Sequence, residues 1–377
     1  MAPQYNLCII KPNKSVFSET FIKEHIDRLS GNKKVIYGGA FPLYGHDDRL
    51  LIKSKADLLI YLIQKRILGK IDIPVRNKAL SDYLKREAID VVFAEYGMVG
   101  GLVTKACKSA GIPLVVHFHG ADAHHDQTVD QYKSFYNQAF EYASGIIAVS
   151  KDMIKKLRDL GAPEEKIAYI PCGVDINGFN KTVINPVSQN FLSIGRFVEK
   201  KSPLSVVKAF EIVLRSVPLA ELWMIGNGPL FREVEQYVRD FKLGKQIHLT
   251  GVLPQEEIKA LMPSMRCLVQ HSVTTSDGDM EGSPLTIIEA GASGLPVVST
   301  RHAGIKEAVI NNVTGFLVEE HDIQTMADRM IKIALSPQLA ADMGEAGRLH
   351  IVENYSIEEQ ISKLDRVIEN AVINRSV

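Results

Sequence analysis

Residues 191–203 read Phe-Leu-Ser-Ile-Gly-Arg-Phe-Val-Glu-Lys-Lys-Ser-Pro. A short apolar run, Phe191–Ile194, gives way to Gly195 and Arg196 and then to the pair Lys200-Lys201. A glycine and basic residues at the carboxyl end of a strand sit where open α/β sheets bind ligands. Similar runs follow at Glu221–Ile225, Gln246–Leu249, Cys267–His271, Pro296–Ser299 and Phe316–Val318, with amphipathic stretches between them. An earlier series lies upstream at Tyr5–Ile10, Lys34–Tyr37, Asp90–Ala94, Pro113–Phe118, Gly145–Val149 and Ile167–Ile170. Strand runs alternating with helical stretches mean βαβ units and a parallel sheet. Two such series predict an α/β protein with two similar doubly wound sheets in tandem.

Length agrees, since 377 residues suit two domains of about 150–200 residues each. With 46% hydrophobic and 23% charged residues, the chain is globular. The formal charge is zero, which argues against a nucleic-acid partner. Residues 1–170 nevertheless carry 24 Lys and Arg against 19 Asp and Glu, so the front half is basic and the back half acidic. Residues 171–186, rich in Gly, Asn and Pro, read as a linker. It divides an N-terminal domain over 1–178 from a second over 187–356, with a helix over 357–377 that has one buried face. The first ten residues read as a strand and not a signal peptide, and no apolar run reaches 18 residues, so a cytoplasmic protein is expected. Cys8, Cys107, Cys172 and Cys267 are scattered and read as buried thiols. Leu50–Leu68 mixes aliphatic residues with Lys and Arg. A core helix with a solvated basic edge is the preferred reading, an interfacial membrane helix the rival.

The richest chemistry lies in Asp277-Gly-Asp-Met-Glu281-Gly-Ser-Pro-Leu-Thr-Ile-Ile-Glu289-Ala-Gly291. Ser283 suits an N-cap and Pro284 the first helical position, so a helix should start here with the amides of Leu285 and Thr286 open to a phosphate. Glu281 then stands before the helix, across the break at Gly282, and Glu289 stands inside it. If wholly helical, the two carboxylates would be about 12 Å apart, beyond the ~5–9.5 Å of a glycosidase pair. Different tasks suit them better: one near a reacting sugar, the other on a hydroxyl pair. Alone, either would read as a solvated residue. Gly226-Asn-Gly228 lacks the third glycine of a dinucleotide fingerprint and reads as a close backbone approach to a ligand or a tight turn. Four histidines, His117, His119, His124 and His125, fall within nine residues. They invite a metal, but no supporting carboxylate scheme is visible, so no metal is assigned. His119, beside Gly120 at a strand end, is better placed to hydrogen-bond a polar ligand.

In one order stand His119-Gly120-x-Asp122, Pro171-x-Gly173-Val174-Asp175, Gly195-Arg196 with Lys201, Gly226-x-Gly228 and Glu281-x7-Glu289. This set resembles the retaining, nucleotide-sugar-dependent glycosyltransferases of GT-B fold, family 4 type. Ser18–Ile22 and the His-Gly segment resemble the bacterial branch that builds exopolysaccharide and colanic-acid-type glycans. The resemblance implies two Rossmann-like domains facing a cleft, the C-terminal helix crossing back to the first, and a hexosyl group moved from a nucleotide sugar. UDP-sugar is favoured and GDP-mannose is the rival; the acceptor is a glycan or a lipid-linked glycan at a membrane surface. Arg196 and Lys201 would hold the donor diphosphate, with Gly195, Gly226 and the backbone over Gly282, Ser283, Pro284, Leu285 and Thr286. Glu289 would bind the ribose, Val252 and Leu253 the base, and Glu281 and His119 the transferring sugar. No cofactor or metal is implied.

Departures from the family pattern are Ser15 to Thr20 in place of a Gly-Gly pair, Cys172 for Asn, Ser202 for Gly, and Phe93-Ala-Glu95-Tyr96 for a His-rich strand end. The rivals in function are a sugar-nucleotide epimerase or a phosphorylase on the same fold, and a non-catalytic sugar-binding protein.

Overall fold

The structure is a computed structural model and describes residues 5–14, 20–185 and 187–375. Ser15 to Glu19, part of the stretch that stands in place of the family's Gly-Gly pair, lie outside the described residues. Six strands form the first sheet: β1 (Asn6–Lys11), β2 (Asn32–Tyr37), β3 (Val91–Glu95), β4 (Leu114–Phe118), β5 (Gly145–Ala148) and β6 (Ile167–Tyr169). They are all parallel, in the order β2-β1-β3-β4-β5-β6. The second sheet holds β7 (Phe191–Ile194), β8 (Leu222–Ile225), β9 (Ile247–Gly251), β10 (Cys267–Gln270), β11 (Val297–Thr300) and β12 (Gly315–Val318). It too is parallel, in the order β12-β11-β10-β7-β8-β9. Every run of β-prone residues in the sequence is one of these strands, because helices cover both faces of a parallel sheet and its strands must be apolar throughout. β3, β4 and β5 are buried along their whole length.

The order of strands decides where sites form. In the first sheet the chain leaves β1 for β2 at one edge and then returns to lay β3 on β1's other side. The second sheet reverses in the same way between β7 and β10. At such a reversal the loops leave in opposite directions and open a crevice at the strands' carboxyl ends.

The chain forms two compact units, Met1–Pro171 with Gln360–Val377, and Cys172–Glu359. The division thus falls earlier than the expected boundary at 178. Val174 is the reason: its N–H donates to Tyr355 O, its carbonyl accepts from Ile357 N, both at 2.9 Å, and its side chain joins the second core together with Phe179. Helix Ile357–Arg375 leads into the first unit, burying Ile361, Leu364, Ile368 and Ala371, and Asp365 accepts from Ser30 N and Oγ at 2.9 and 2.8 Å. All four cysteines are buried and free.

One expectation changes. Leu50–Leu68 is not a core helix: helix Lys55–Leu62 begins only after Ser54 and runs on as a π-helical turn over Ile63–Ile67. Of its side chains only Tyr61 is buried, packed with Ile52 and Ile73. Leu59, Ile60, Leu62, Ile63 and Ile67 stay exposed instead of entering a core.

Gly226, read from sequence as a close approach to a ligand or a tight turn, has a packing reason to be glycine. Its φ is +138°, and a Cβ there would lie 1.9 Å from the Gly195 carbonyl oxygen. Gly228 likewise presses on Phe197 O. The loops after β7 and β8 therefore interlock backbone to backbone. Gly226→Ala is expected to destabilise the protein by about 2 kcal/mol or more, through both the clash and the positive φ, as read by a urea or thermal melt.

Candidate active site

In the second unit the site grows from the loops that follow β7 and β10. Lys201 Nζ lies 3.2 Å from Glu281 Oε2, and both side chains are largely buried. Its neighbour Lys200 Nζ reaches Asp279 Oδ1 at 3.0 Å and Met280 O at 3.2 Å, pinning the segment before Glu281. Behind them, Glu281 N–H donates to His302 Nε2 at 3.1 Å, while His302 Nδ1 sits 2.7 Å from Glu320 Oε1. His302 therefore carries its proton on Nδ1. Burial alone would raise the Glu281 pKa, yet Lys201 and Lys200 outweigh it and hold the carboxyl below its ordinary value. Glu281 Oε1 is buried with no hydrogen-bond partner among the described residues. An orphaned acceptor of that kind costs about 1–3 kcal/mol until a donor arrives.

Arg196 lines the same small pocket as Lys201, Gly195 and Gln270 at the end of β7. Its side chain is exposed and has no carboxylate partner among the described residues. Gly195 N–H is spent on Ile225 O at 3.0 Å. Ser202, at φ +36°, occupies the left-handed region, which accounts for the glycine expected there.

The helix after Glu281 starts later than the sequence implied. It spans Leu285–Ala292, with Pro284 as the residue before it and no side-chain cap. Ser283 Oγ does not cap it but accepts from Cys172 N at 3.2 Å. Leu285 N–H is also occupied, bonded to Ser283 O at 3.0 Å. Thr286 Oγ1 donates to Gln270 Oε1 at 3.0 Å, tying the helix start to the end of β10. Further along, Glu289 is half-buried, and desolvation raises its pKa to about 7 against the opposing pull of Lys259 and Gln255. Gln255 Nε2 is 3.5 Å from Glu289 Oε1, so the loop after β9 comes beside this carboxylate. Val252 in that loop is exposed and Leu253 half-buried. Gln255 was missed because a glutamine after Pro254 carries no sequence signal by itself.

In the first unit a carboxylate sits at the end of β3, beside the sheet's reversal point. Glu95 is fully buried, with His25 Nδ1 at 2.7 Å, His119 Nε2 at 2.8 Å and His117 Nδ1 at 3.5 Å. Burial alone would raise its pKa, but the three imidazoles hold it well below the usual carboxylate range. Burial pushes His117 down to about 3, so that ring is neutral. His119 packs on Phe21 and Tyr96, with ring centroids 4.5 and 4.9 Å away. Asp122 explains the His-Gly-x-Asp motif: its carboxylate accepts from Gly97 N at 2.7 Å, Gly120 N at 2.8 Å and His119 N at 3.0 Å. Of the other histidines, His125 caps helix Asp126–Tyr142 by accepting from Thr128 N. His25 and Glu95 were not recognised as a pair from sequence, being 70 residues apart.

Residues 176–350 match the glycosyl transferases group 1 family, and residues 61–177 match glycosyltransferase family 4. The amylovoran biosynthesis glycosyltransferase AmsK of Erwinia amylovora is 30% identical over 286 residues, covering 75% of this chain and 70% of that protein. The chain belongs to this glycosyltransferase family. It is an enzyme that transfers glycosyl groups. A protein of Escherichia coli named for colanic acid biosynthesis, WcaL, is 30% identical over 273 residues, and the chain spans 64% of its length. Among solved structures, HepE of Anabaena in complex with UDP-glucose superimposes with a TM-score of 0.75 at 18% identity, covering 97% of this chain and 100% of that one. The fold of the glycosyltransferase is GT-B, as the motif set implied.

Replacing Asp122 by Ala in this glycosyltransferase leaves three backbone donors without their acceptor, those of Gly97 and Gly120 buried and that of His119 partly so. The expected cost is about 2–3 kcal/mol in a denaturant melt, since hydrogen bonds to a charged group are the strong ones.

Proposed function

We propose that the enzyme moves a hexosyl group, with retention of configuration, from a UDP-sugar to a glycan or lipid-linked acceptor in bacterial polysaccharide biosynthesis. The observation that carries this is Glu281, whose one oxygen is held by Lys201 while the other is buried without a partner among the described residues. A sugar hydroxyl is a donor of the right kind to satisfy it. Arg196 and Lys201 then flank the position of the diphosphate, where negative charge grows as the glycosyl C–O bond breaks. Glu289, beside the loop that bears Val252 and Leu253, is assigned to the ribose diol, and that loop to the base. In the first unit, Glu95 accepts from His119 Nε2–H and so fixes the ring for its contact with the transferring sugar. Fixed cations neutralise the leaving group in this scheme, so no divalent metal is required. The names of AmsK and WcaL support the polysaccharide role, and the UDP-glucose bound to HepE supports UDP over GDP-mannose. With such an acceptor, the location that goes with this reading is the cytoplasm, peripheral on the inner face of the membrane.

The decisive experiment is a thermal-shift panel of UDP, GDP and ADP sugars followed by product analysis with and without acceptor. UDP sugars should stabilise by about 2.7 kcal/mol at a hundred times their dissociation constant. A shift with GDP alone would overturn the donor assignment, and donor conversion without acceptor would favour an epimerase. Arg196→Ala and Lys201→Ala should each slow transfer by about 10²–10³-fold at saturating donor. Arg196→Ala should keep the wild-type melting point, because its side chain is exposed and has no carboxylate partner among the described residues. Lys201→Ala should melt earlier, because it strands the buried Glu281 carboxylate.

Glu289 gives the donor site a pH dependence. With a pKa raised to about 7, it is a carboxylate above that pH and a neutral acid below it, and only the carboxylate accepts from both ribose hydroxyls. Calorimetric titration with UDP should show the dissociation constant rising as pH falls through about 7, approaching tenfold per unit. Glu289→Gln should bind weakly at both ends of the range and remove that step.

A further inference from the structure

Helix Lys55–Leu62 and its π-helical continuation to Ile67 leave an aliphatic surface uncovered. Leu59 is 59% exposed, Ile67 75% and Leu68 56%, and Ile60, Leu62 and Ile63 are exposed beside them. Scattered exposed aliphatic residues are ordinary, but six within ten consecutive residues make a patch that marks an interaction surface. Along residues 53–70 stand Lys53, Lys55, Lys65, Arg66 and Lys70, all exposed, against one acidic residue, Asp57. A groove of about 430 Å³ opens at the helix's beginning, where Lys53 and Lys55 line it beside Leu50 and Leu58, while Arg49 and Arg86 in its wall are paired with Asp47 and Glu87. Apolar side chains ringed by cations have two demands on a partner: it must be apolar inside and negative at its surface.

We infer that this segment is a membrane-docking element that lies in the headgroup region of an anionic bilayer. Its thirteen residues would span about 20 Å, short of the ~30 Å hydrocarbon core, so it lies on the membrane and does not cross it. No helix among the described residues is long and apolar enough to cross. A second copy of the chain suits the surface poorly. In a two-fold interface each patch meets its own likeness, which would set this ring of lysines and arginines against another. Anionic lipid supplies the opposite charge and the acyl layer together. The inference deepens the proposal of a lipid-linked acceptor, but its test uses neither donor nor acceptor.

The test is co-sedimentation of the full chain with vesicles of about one-third phosphatidylglycerol in phosphatidylcholine, at low and high salt, alongside pure phosphatidylcholine. The wild type should bind the anionic vesicles at least about tenfold more strongly than neutral ones and be released by salt. The double variant Ile67→Glu with Leu68→Glu should lose about tenfold or more of that binding with an unchanged melting point, since both side chains are exposed. Wild-type protein left in the supernatant at low salt overturns the inference. So does equal binding to neutral vesicles, or binding retained by the double variant. A concentration-dependent dimer that the double variant abolishes, with no vesicle binding, would assign the patch to a second copy instead. Failure of any kind here leaves the transfer reaction to be judged by its own experiments.

Discussion

The ion pair between Lys201 and Glu281 joins two loops that stand eighty residues apart in the chain, and the candidate site of the second unit is organised around it. Neither charge could be buried alone, since an unpaired carboxylate or ammonium in the interior costs several kcal/mol. Lys200 adds a second clamp on the same segment, and His302 receives the Glu281 amide from below. The result is a carboxylate held ionised and oriented, with one oxygen neutralised and one reserved. Preorganisation of this sort matters for glycosyl transfer because the charge to be stabilised appears only as the bond breaks, leaving no time for the protein to rearrange.

The first unit solves a similar problem with opposite chemistry. Glu95, the buried charge, is surrounded by imidazoles in place of lysines, and a second carboxylate, Asp122, holds the backbone turn that carries His119. Both units place these groups where the strand order reverses, beside β1 and β3 in one and between β7 and β10 in the other. The common cause is topological: carboxyl ends of parallel strands point one way, and only at the reversal do neighbouring loops diverge enough to admit a ligand.

Much of the candidate site was legible because its residue types are unusual for their positions. Glu281, Glu289, Arg196 and Lys201 stood out as charges at predicted strand ends and a helix start, and strands end where the apolar runs stop. Gly226 was legible as a special glycine, but the contact that requires it was not. Its requirement comes from the Gly195 carbonyl 1.9 Å from where a Cβ would be, a contact between loops that no local pattern records. Ser283 shows the same limit. As a residue before Pro284 it fits a helix cap, yet its hydroxyl serves Cys172, more than a hundred residues away in sequence.

By itself the sequence determined the two parallel sheets, their twelve strands, and the charged residues that line the second sheet's carboxyl edge. Those features follow from periodicity and from the apolar composition that burial on both faces imposes. Tertiary structure alone decided which charges meet: Lys201 with Glu281, Glu95 with His25 and His119, and the capture of residues 172–179 by the second unit through Val174. It also decided that the aliphatic residues of Leu59–Leu68 face outward, since composition states how apolar a segment is but not whether another element arrives to cover it. Pairing and coverage are relations between distant parts of the chain, and a chain's local pattern carries no information about its distant partners until the sheets have closed and fixed the distances between them.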